Sequence, residues 1–462
     1  MARSETVQGG GTSPAFFLRY LFLPALLMSL VISGCQSPRK ASGGLSEEDR
    51  AKYVTSFDHV FETVRDTHWD PEVVGDSWHS AARELRPRIE QAESRGEAVS
   101  ILQELLGRLE LSHYGILPRS YYSSFEAPTP EEKETEDPGS APKGRGGDAG
   151  LDLRVIEGEA VIFRVPGDGA AAAVGLAKGW VIESVAEESL ATVIDKIQTL
   201  MSESSQLELI VTSVIEERLI GDPGDHIQIV ARDGEGELHK IDLVLGEPLG
   251  KRVTFGNLPP FNLVYEGYLI DETVAYIRLS SFFNPMDVMP WFQRQIEEMG
   301  DVRGFIIDLR GNPGGISLMA CGIAGWFFED EGHDLGKMKT RQLELKFFIN
   351  PRLGAYKGPL ALLVDGSSAS TSEFLAAGLQ DLRRARIFGS RTAGAALPSI
   401  IERLPSGDGF QYAVANYFSV SGRILEGKGV EPDEAITLDR GSLGAGRDPV
   451  LEAAVRWITE QD

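Results

Sequence analysis

The sequence predicts an α/β protein built from several domains. Apolar residues recur at helical spacing from about residue 50 to residue 112, as in "YVTSFDHVFETVRDTHW". Short β-type segments separated by glycine turns follow up to residue 250, and from residue 252 short apolar strands alternate with helical patterns. Such alternation indicates a largely parallel sheet with helices on its faces. The 462 residues are enough for about three domains of roughly 150 residues each.

The composition argues against several classes of function. The chain is 42% hydrophobic and 25% charged, as ordinary globular proteins are. Its formal net charge of −24 argues against nucleic acid or an anionic membrane surface as a partner. The seven histidines are scattered and no HExxH or CxxC spacing occurs, so the sequence does not support a bound metal or another cofactor.

The first 49 residues are predicted to be a targeting segment and a tether. Arginines precede the apolar stretch "YLFLPALLMSLVISG", which has the length of a secretory signal rather than of a membrane span, so residues 1–34 are interpreted as a signal peptide. The ending "VISGC" resembles a bacterial lipobox, which would make Cys35 the lipidated first residue; a signal peptide cut elsewhere is the alternative. Residues 35–49 would then tether the fold to a membrane. Gln36 resembles the sorting class of the outer membrane, facing the periplasm.

Composition also sets the remaining domain boundaries. Residues 50–125 form the predicted helical domain, and residues 126–149, rich in Pro, Glu and Gly, indicate a flexible linker. Residues 150–250 are β-rich, with a helix at "ESLATVIDKIQTLMSE" and a closing hairpin in "HIQIVARDGEGELHKIDLVL". Residues 252–462 form the predicted α/β core domain.

Two segments leave apolar strands at the edge of the sheet where ligands bind, namely "DLRGNPGG" (308–315) and "GSSASTSE" (366–373). Glycines after a strand usually indicate only a turn, but Gly314 and Gly315 could let backbone N–H groups approach a substrate, as an oxyanion hole requires. Ser370 begins an S-x-x-E capping box, and a serine at a strand-to-helix turn is also suited to nucleophilic attack. The residues alone leave both roles of Ser370 open.

Four motifs resemble the C-terminal processing (tail-specific) peptidases and their Tricorn-core relatives. In order they are "GFIIDLRGNPGG", "LLVDGSSASTSEFLAAGLQD", "ARIFGSRTAG" and "GKGVEPD", and the resemblance extends over nearly all of residues 50–440. It implies a serine endopeptidase with a helical N-terminal domain, a PDZ-like domain and a clp/crotonase-like α/β protease core. It further implies Ser370 as the nucleophile, with the backbone N–H groups of Thr371 and of Gly315 (or Gly314) as oxyanion donors.

One position departs from the Ser/Lys branch of these peptidases. That branch carries a lysine after the "T-x-G" turn as the general base, whereas "TAGAA" places Ala395 there. A serine needs a base held against it, and an alanine cannot accept a proton. Either the chain is a catalytically inactive relative or the base comes from elsewhere.

The resemblance to the Tricorn branch implies another base. That branch uses a histidine preceded by serine, together with a glutamate ahead of "GVxPD", and Ser112, His113 and Glu426 match these positions. Imidazole can take and return a proton near neutrality, and the other two side chains would orient it. His113 could instead be an ordinary core or surface histidine, and Glu431 and Asp433 are further carboxylates close to Glu426.

The resemblance also assigns a peptide-binding role to Gly150, Leu151, Asp152 and Leu153. They match the glycine-rich loop with which PDZ-like modules bind a C-terminal carboxylate, while the peptide adds to the sheet edge. A β-rich spacer that binds nothing is the alternative. We therefore expect a lipid-anchored serine endopeptidase that acts on protein or peptide substrates without metal or cofactor. An inactive peptide-binding scaffold lipoprotein of the same fold is the alternative, and a lipid-binding role is a more distant one.

Overall fold

The computed structural model describes residues 45–119 and 146–461. The predicted signal peptide, Cys35, and most of the tether and the linker lie outside these residues. Within the described ranges, no helix combines the length and the apolar character needed to cross a membrane.

Three helices and one short strand form the N-terminal unit. They are α1 (Glu47–Thr67), α2 (Asp76–Glu90), α3 (Arg95–Gly107) and β1 (Gly115–Leu117). Ser46 and Ser94 precede α1 and α3 as N-caps, each accepting a backbone N–H of the first turn. The predicted helices of this region are therefore confirmed.

A β-rich domain follows, with a sheet in the order β3-β4-β5-β8-β9 and β6 paired with β5. Its elements are β2 (Gly147–Asp148), β3 (Asp152–Ile156), β4 (Glu159–Arg164), α4 (Ala170–Ala173), β5 (Val181–Val185), β6 (Glu188–Ser189), α5 (Leu190–Met201), α6 (Leu207–Glu217), β7 (Ile220–Gly221), β8 (His226–Arg232) and β9 (Leu238–Val244). The predicted helix α5 and the predicted hairpin of β8 and β9 are confirmed.

Helix α6 is absent from the sequence prediction. Its segment "LELIVTSVIEE" is rich in β-branched residues, which favour strands. It folds as a helix because Ile210, Val211, Val214 and Ile215 fall on one face, and this face is buried in the core of the β-rich domain. Tertiary burial therefore overrides the local preference.

The α/β core contains a six-stranded sheet in the order β12-β13-β14-β17-β18-β22, in which only the β12 pairing is antiparallel. Its elements are β10 (Lys251–Val253), β11 (Phe261–Leu263), β12 (Tyr265–Ile270), β13 (Val274–Leu279), α7 (Pro285–Glu298), β14 (Gly304–Asp308), α8 (Ser317–Ala324), β15 (Asp334–Lys339), β16 (Glu344–Phe348), β17 (Leu360–Val364), α9 (Thr371–Asp381), β18 (Arg386–Gly389), β19 (Ser399–Arg403), β20 (Gly409–Ala413), β21 (Asn416–Phe418), β22 (Glu434–Ala435), α10 (Arg440–Gly444) and α11 (Pro449–Thr459). The predicted α/β architecture with a largely parallel sheet is confirmed.

Two neighbouring strands bring the two glycine- and serine-rich segments together. Strands β14 and β17 are parallel and adjacent, with Asp308 opposite Leu363. The segments that follow them therefore leave the same edge of the sheet side by side. This is the edge at which ligands bind in open parallel sheets.

The hydrophobic core of the N-terminal unit extends into the core domain. Its buried side chains form one cluster with Leu397, Leu404 and Phe410 of the core domain. Strand β1 also pairs with β20, with Gly115 opposite Gln411. This docking carries the end of the N-terminal unit, including Ser112 and His113, against the core domain.

Candidate active site

Ser370 occupies the sharp turn between β17 and α9. Its φ of 53° and ψ of −114° are unusual for a residue with a side chain, and strain of this kind is typical of functional turns. Its backbone N–H donates to the carbonyl of Ala395 at 2.8 Å and to Oε2 of Glu373 at 2.9 Å. The second bond is the glutamate part of the predicted capping box. The fold therefore holds the Ser370 backbone in an otherwise unfavourable conformation.

Glu373 does more than cap the helix. It is fully buried, and its two oxygens accept from four donors: the N–H groups of Ser370, Gly394 and Ala395 and the hydroxyl of Thr392. Burial raises the pKa of Glu373 to about 7, and these hydrogen bonds act in the opposite direction. Glu373 thereby joins the Ser370 turn to the "TAG" turn, a role that the capping pattern alone does not reveal.

The loop of Gly314 and Gly315 lies directly against the Ser370 turn. A Cβ on Gly314 would fall 2.8 Å from the nitrogen of Thr371 and 2.9 Å from Cβ of Ser370, so only glycine permits this approach. The hydroxyl of Thr371 donates to the carbonyl of Gly315 at 2.7 Å and fixes the loop to α9. The two predicted oxyanion segments are thus adjacent.

The structure distinguishes between the two candidate glycine donors. The N–H of Gly314 donates to Oδ1 of Asn312 at 2.8 Å and is therefore engaged. Within the described residues, the N–H of Gly315 donates to no acceptor. The N–H of Thr371 belongs to the first residue of α9, where a helix offers no internal acceptor. The pair Thr371 and Gly315 is therefore the one available to a developing oxyanion.

Ser112, His113 and Glu426 meet although Glu426 lies 314 positions beyond Ser112. The hydroxyl oxygen of Ser112 is 2.6 Å from Nδ1 of His113 and 2.8 Å from Oε2 of Glu426. The backbone N–H of Ser112 donates to Oε1 of Glu426 at 2.6 Å, and the N–H of Ala396 donates to Oε2 at 3.0 Å. The fold therefore builds a hydrogen-bonded chain from a half-buried carboxylate through a buried hydroxyl to a buried imidazole.

This chain of hydrogen bonds fixes the tautomer of His113. The single hydroxyl hydrogen of Ser112 is donated to Glu426, so the Ser112 oxygen accepts from Nδ1–H. The lone pair then lies on Nε2, which is buried and makes no hydrogen bond to any residue in 45–119 or 146–461. Burial lowers the pKa of His113 to about 3, which keeps the ring neutral. A neutral imidazole with a free Nε2 is the form that a general base requires.

The segment that contains Ala395 is hydrogen-bonded to both Ser370 and Glu426. Ser370 donates its N–H to the Ala395 carbonyl, while the next residue, Ala396, bonds to Glu426. Nε2 of His113 makes no hydrogen bond to Ser370, which is common where no substrate is bound. Ala395 itself is buried and contributes only its backbone and methyl group.

The two other carboxylates near Glu426 are used elsewhere. Asp433 accepts the N–H of Ile387 at 2.8 Å and the amide of Gln380 at 3.0 Å, and so anchors β18 and α9. The side chain of Glu431 is exposed. Of the three, Glu426 alone contacts Ser112.

The loop predicted to bind a C-terminal carboxylate is occupied by side chains of the same domain. The N–H of Gly150 donates to Asp148 at 2.7 Å, and the N–H of Leu153 donates to Glu216 at 3.0 Å. Leu151 is buried, and Asp152 is paired with an arginine of β13. Binding of a peptide carboxylate here stays a prediction, and such a ligand would have to displace both internal acids.

A buried ion pair that the sequence analysis does not identify joins the β-rich domain to both site loops. Nε of Arg154 lies 2.7 Å from Oδ2 of Asp365, and both side chains are buried. The other oxygen of Asp365 accepts the N–H groups of Gly311 at 2.9 Å and Ser367 at 3.0 Å. In the sequence, Asp365 is noticeable because it comes directly after a strand. Its partner Arg154 cannot be identified in the same way, because it lies 211 positions away.

One group in the described ranges has the composition of a metal site. Asp233, Glu237 and His239, at the turn between β8 and β9, bring one potential ligand atom each within 4.8 Å of one another. His239 already bonds to Asp233 at 2.8 Å, and two backbone N–H groups bond to the same carboxylate. These bonds account for the grouping without a metal.

Sequence comparisons identify two regions of the chain. Residues 273–436 match the family model described as peptidase family S41, and residues 49–107 match that of the Tricorn protease C1 domain. The chain is 34% identical over 192 residues to the carboxyl-terminal-processing protease of Synechocystis sp., covering 41% of this chain and 44% of that protein. It is 30% identical over 193 residues to that of Picosynechococcus sp., covering 41% and 46%. The chain therefore spans less than half the length of these curated relatives.

Solved structures show the same fold. The photosystem II D1 C-terminal processing protease is similar with a TM-score of 0.54 and 19% identity, over 88% of this chain and 98% of that one. A mutant of CPAF is similar with a TM-score of 0.60 and 11% identity, over 90% and 99%. These identities are low, so this likeness concerns the fold alone. The match to peptidase family S41 covers residues 273–436, and the match to the Tricorn C1 domain covers a helical region ahead of it.

Proposed function

We propose that this chain is a serine endopeptidase in which Ser370 is the nucleophile and His113 is the general base. The observation that carries the proposal is the hydrogen-bonded chain from Glu426 through Ser112 to Nδ1, which leaves Nε2 of His113 unprotonated and without a partner among the described residues. The match of residues 273–436 to the model of peptidase family S41 supports a peptidase, and the curated relatives are named as carboxyl-terminal-processing proteases. The substrates would be proteins or peptides.

In the first half of the reaction, Oγ of Ser370 attacks the carbonyl carbon of a peptide bond. Its proton passes to Nε2 of His113, and the electron pair of the C=O bond moves onto the oxygen. The resulting oxyanion accepts from the N–H groups of Thr371 and Gly315. Ser112 and Glu426 stabilise the imidazolium through Nδ1–H.

In the second half, the C–N bond breaks and the imidazolium protonates the leaving amine, which yields an ester on Ser370. Water then attacks this ester, with His113 accepting its proton and returning it to Oγ as the acid is released. No step needs the lysine of the Ser/Lys branch. Ala395 serves this scheme through its carbonyl, which accepts the N–H of Ser370.

Reaction with a fluorophosphonate, which loses fluoride to an activated serine, tests the proposal on the folded, lipid-free protein. We expect labelling of the wild type, none in Ser370→Ala, and labelling slower by about 10²–10⁴-fold in His113→Ala. His79→Ala, a histidine substitution in α2 of the same N-terminal unit, should be labelled as the wild type. A wild type that is not labelled would support the inactive scaffold instead. Unchanged labelling of His113→Ala would disprove the base assignment.

We also propose that the mature chain is a lipoprotein anchored through Cys35 to the outer membrane and facing the periplasm. The support is the sequence of residues 1–49, which lie almost entirely outside the described ranges. Expression in a Gram-negative host should place the wild type in the outer-membrane fraction, and Cys35→Ala should lose the lipid mass from its N-terminal peptide. Recovery of an unmodified wild-type Cys35 would contradict this.

A further inference from the structure

We propose that Thr212 and Ser367 bind the substrate main chain through their hydroxyl groups, in a cavity shared by the β-rich domain and the protease core. Thr212 belongs to α6, and Ser367 belongs to the loop that leads to Ser370. This proposal rests on the proposed peptidase function and extends it. It makes the β-rich domain one wall of the substrate-binding site.

The cavity has a volume of about 280 Å³ and extends from the candidate base to α6. His113, Ala369 and Ala395 line the end next to the reactive turn. Leu209 of α6 packs directly against the small apolar cluster that includes both alanines. A peptide held at Ser370, the residue after Ala369, could therefore extend through this cavity to α6.

Three buried polar atoms on residues that line this cavity have no hydrogen-bond partner among the described residues. They are Nε2 of His113, Oγ1 of Thr212 and Oγ of Ser367, on side chains that are 3%, 4% and 3% exposed. An unsatisfied buried polar group costs about 1–3 kcal/mol and is rare in native proteins. The reaction explains the first of these atoms. A substrate that supplies partners would explain the other two in the same way.

The neighbouring serine on α6 shows that a hydroxyl group in this helix can form a hydrogen bond within the helix. Ser213 also lines the cavity, but its hydroxyl donates to the carbonyl of Leu209, four residues back, at 2.8 Å. The same type of bond is open to a threonine in a helix. Thr212 does not form it, so its hydroxyl keeps its hydrogen-bonding capacity unused among the described residues.

The charges around the cavity indicate what kind of group the hydroxyls bind. Its two arginines are already paired, Arg154 with Asp365 and Arg278 with Asp152. Apolar side chains such as Ile210 and Pro313 form much of the remaining wall. A hydroxyl can donate to a carbonyl and accept from an N–H, so two of them suit the uncharged amides of a peptide. The ligand is therefore main chain with small or apolar side chains.

The test compares cleavage of a large substrate with reaction of a small one. Fluorescein-labelled casein serves as the peptide substrate, and the fluorophosphonate reports the reactivity of Ser370 without reaching α6. For Thr212→Val and for Ser367→Ala we expect kcat/KM on casein to fall about 3–10-fold through a higher KM, as the loss of one hydrogen bond predicts. The rate of fluorophosphonate labelling should change less than about twofold.

Two matched variants make the result specific. Thr212→Ser keeps the hydroxyl and should restore kcat/KM, whereas Ser213→Ala removes a hydroxyl that is already partnered and should behave as the wild type. Normal casein cleavage by Thr212→Val and Ser367→Ala would overturn the proposal. An equal loss of labelling and cleavage would overturn it as well, because the defect would then lie in the chemistry or the fold.

Binding distinguishes failure of this proposal from failure of the proposed function. The Ser370→Ala variant should bind the labelled casein, as measured by fluorescence anisotropy, and adding Thr212→Val should raise Kd about 3–10-fold. This prediction holds even if the wild type reacts with no fluorophosphonate. Equal Kd values in the two proteins would refute the binding role of Thr212 whatever the activity.

Discussion

The two halves of the candidate site are each organised by one glutamate, but they are assembled over different distances. Glu373 accepts from four donors that all lie between residues 370 and 395 of the core domain. Glu426 accepts from Ala396 of the same domain and twice from Ser112, which is 314 positions away. The nucleophile half is therefore internal to one domain. The base half forms only where the N-terminal unit docks.

This difference predicts that substitutions in the two halves first affect different properties, namely stability in the nucleophile half and reactivity in the base half. Loss of Glu373 leaves buried donors unsatisfied inside the core and should first reduce stability. Loss of Glu426 or Ser112 leaves the Ser370 turn intact and should first reduce reactivity. The following substitutions test this separation, beginning with the largest expected effect.

Glu373→Ala should lower the free energy of unfolding by at least about 3 kcal/mol, because four buried donors lose their acceptor together. Urea denaturation followed by circular dichroism measures it. Glu298→Ala, at an exposed glutamate that ends α7, is the matched control and should stay within about 0.5 kcal/mol of the wild type. A loss below about 1 kcal/mol for Glu373→Ala would show that this carboxylate does not hold the turn.

Glu426→Gln should slow fluorophosphonate labelling about 10–100-fold at pH 7.5 and cost less stability than Glu373→Ala, since the amide oxygen still accepts. Glu431→Gln, at an exposed glutamate nearby, is the control. The pH profile gives a second readout. Burial raises the pKa of Glu426, and reactivity needs its ionised form, so labelling should be lost as pH falls through that raised pKa.

Burial lowers the pKa of the His113 imidazole to about 3, so the imidazole titrates below the raised pKa of Glu426. The acid limb of the wild-type profile should therefore disappear in Glu426→Gln. An unchanged acid limb in that variant would assign the titration to another group.

Ser112→Ala should slow labelling about tenfold, because the hydroxyl that links the carboxylate to Nδ1 is removed while His113 remains. If Glu426, Ser112 and His113 act as one chain, adding Glu426→Gln to Ser112→Ala should slow labelling only a little further. A double-mutant cycle on labelling rates measures the coupling. Strictly multiplicative effects would mean that Glu426 acts on His113 by a route other than Ser112.

Thr392→Val should have the smallest effect, a loss of about 1–2 kcal/mol in the free energy of unfolding. The hydroxyl donates to Glu373 at 2.6 Å and accepts the N–H of Val430 at 2.7 Å, so one donor loses its partner while Glu373 keeps three. Thr392→Ser retains both bonds and should lie closer to the wild type. Equal stability of Thr392→Val and the wild type would show that the hydrogen bonds of Thr392 to Glu373 and Val430 do not stabilise the fold.

Local patterns predicted much of the fold because each depends on residues close in sequence. The parallel strands, the helix that begins at Ser370 and the hairpin of β8 and β9 all follow from periodicity, capping or turn residues. Helix α6 did not follow, because its β-branched composition favours a strand until one face is buried. Thr212 lies on that helix, so the sequence did not predict the proposed substrate-binding wall either.

The sequence by itself determined that a serine stands at a strand-to-helix turn. Its resemblance to the processing peptidases implied that Ala395 stands where the Ser/Lys branch has a lysine, so that an active site would need a base from elsewhere. Only the tertiary structure decided which distant groups meet. It brought Ser112 to Glu426, excluded Gly314 as a free donor by bonding it to Asn312, and set Arg154 on Asp365. The physical reason is that a helix cap or a strand is stabilised by its own neighbours. A buried carboxylate, in contrast, is satisfied by whatever donors the packed domains bring to it.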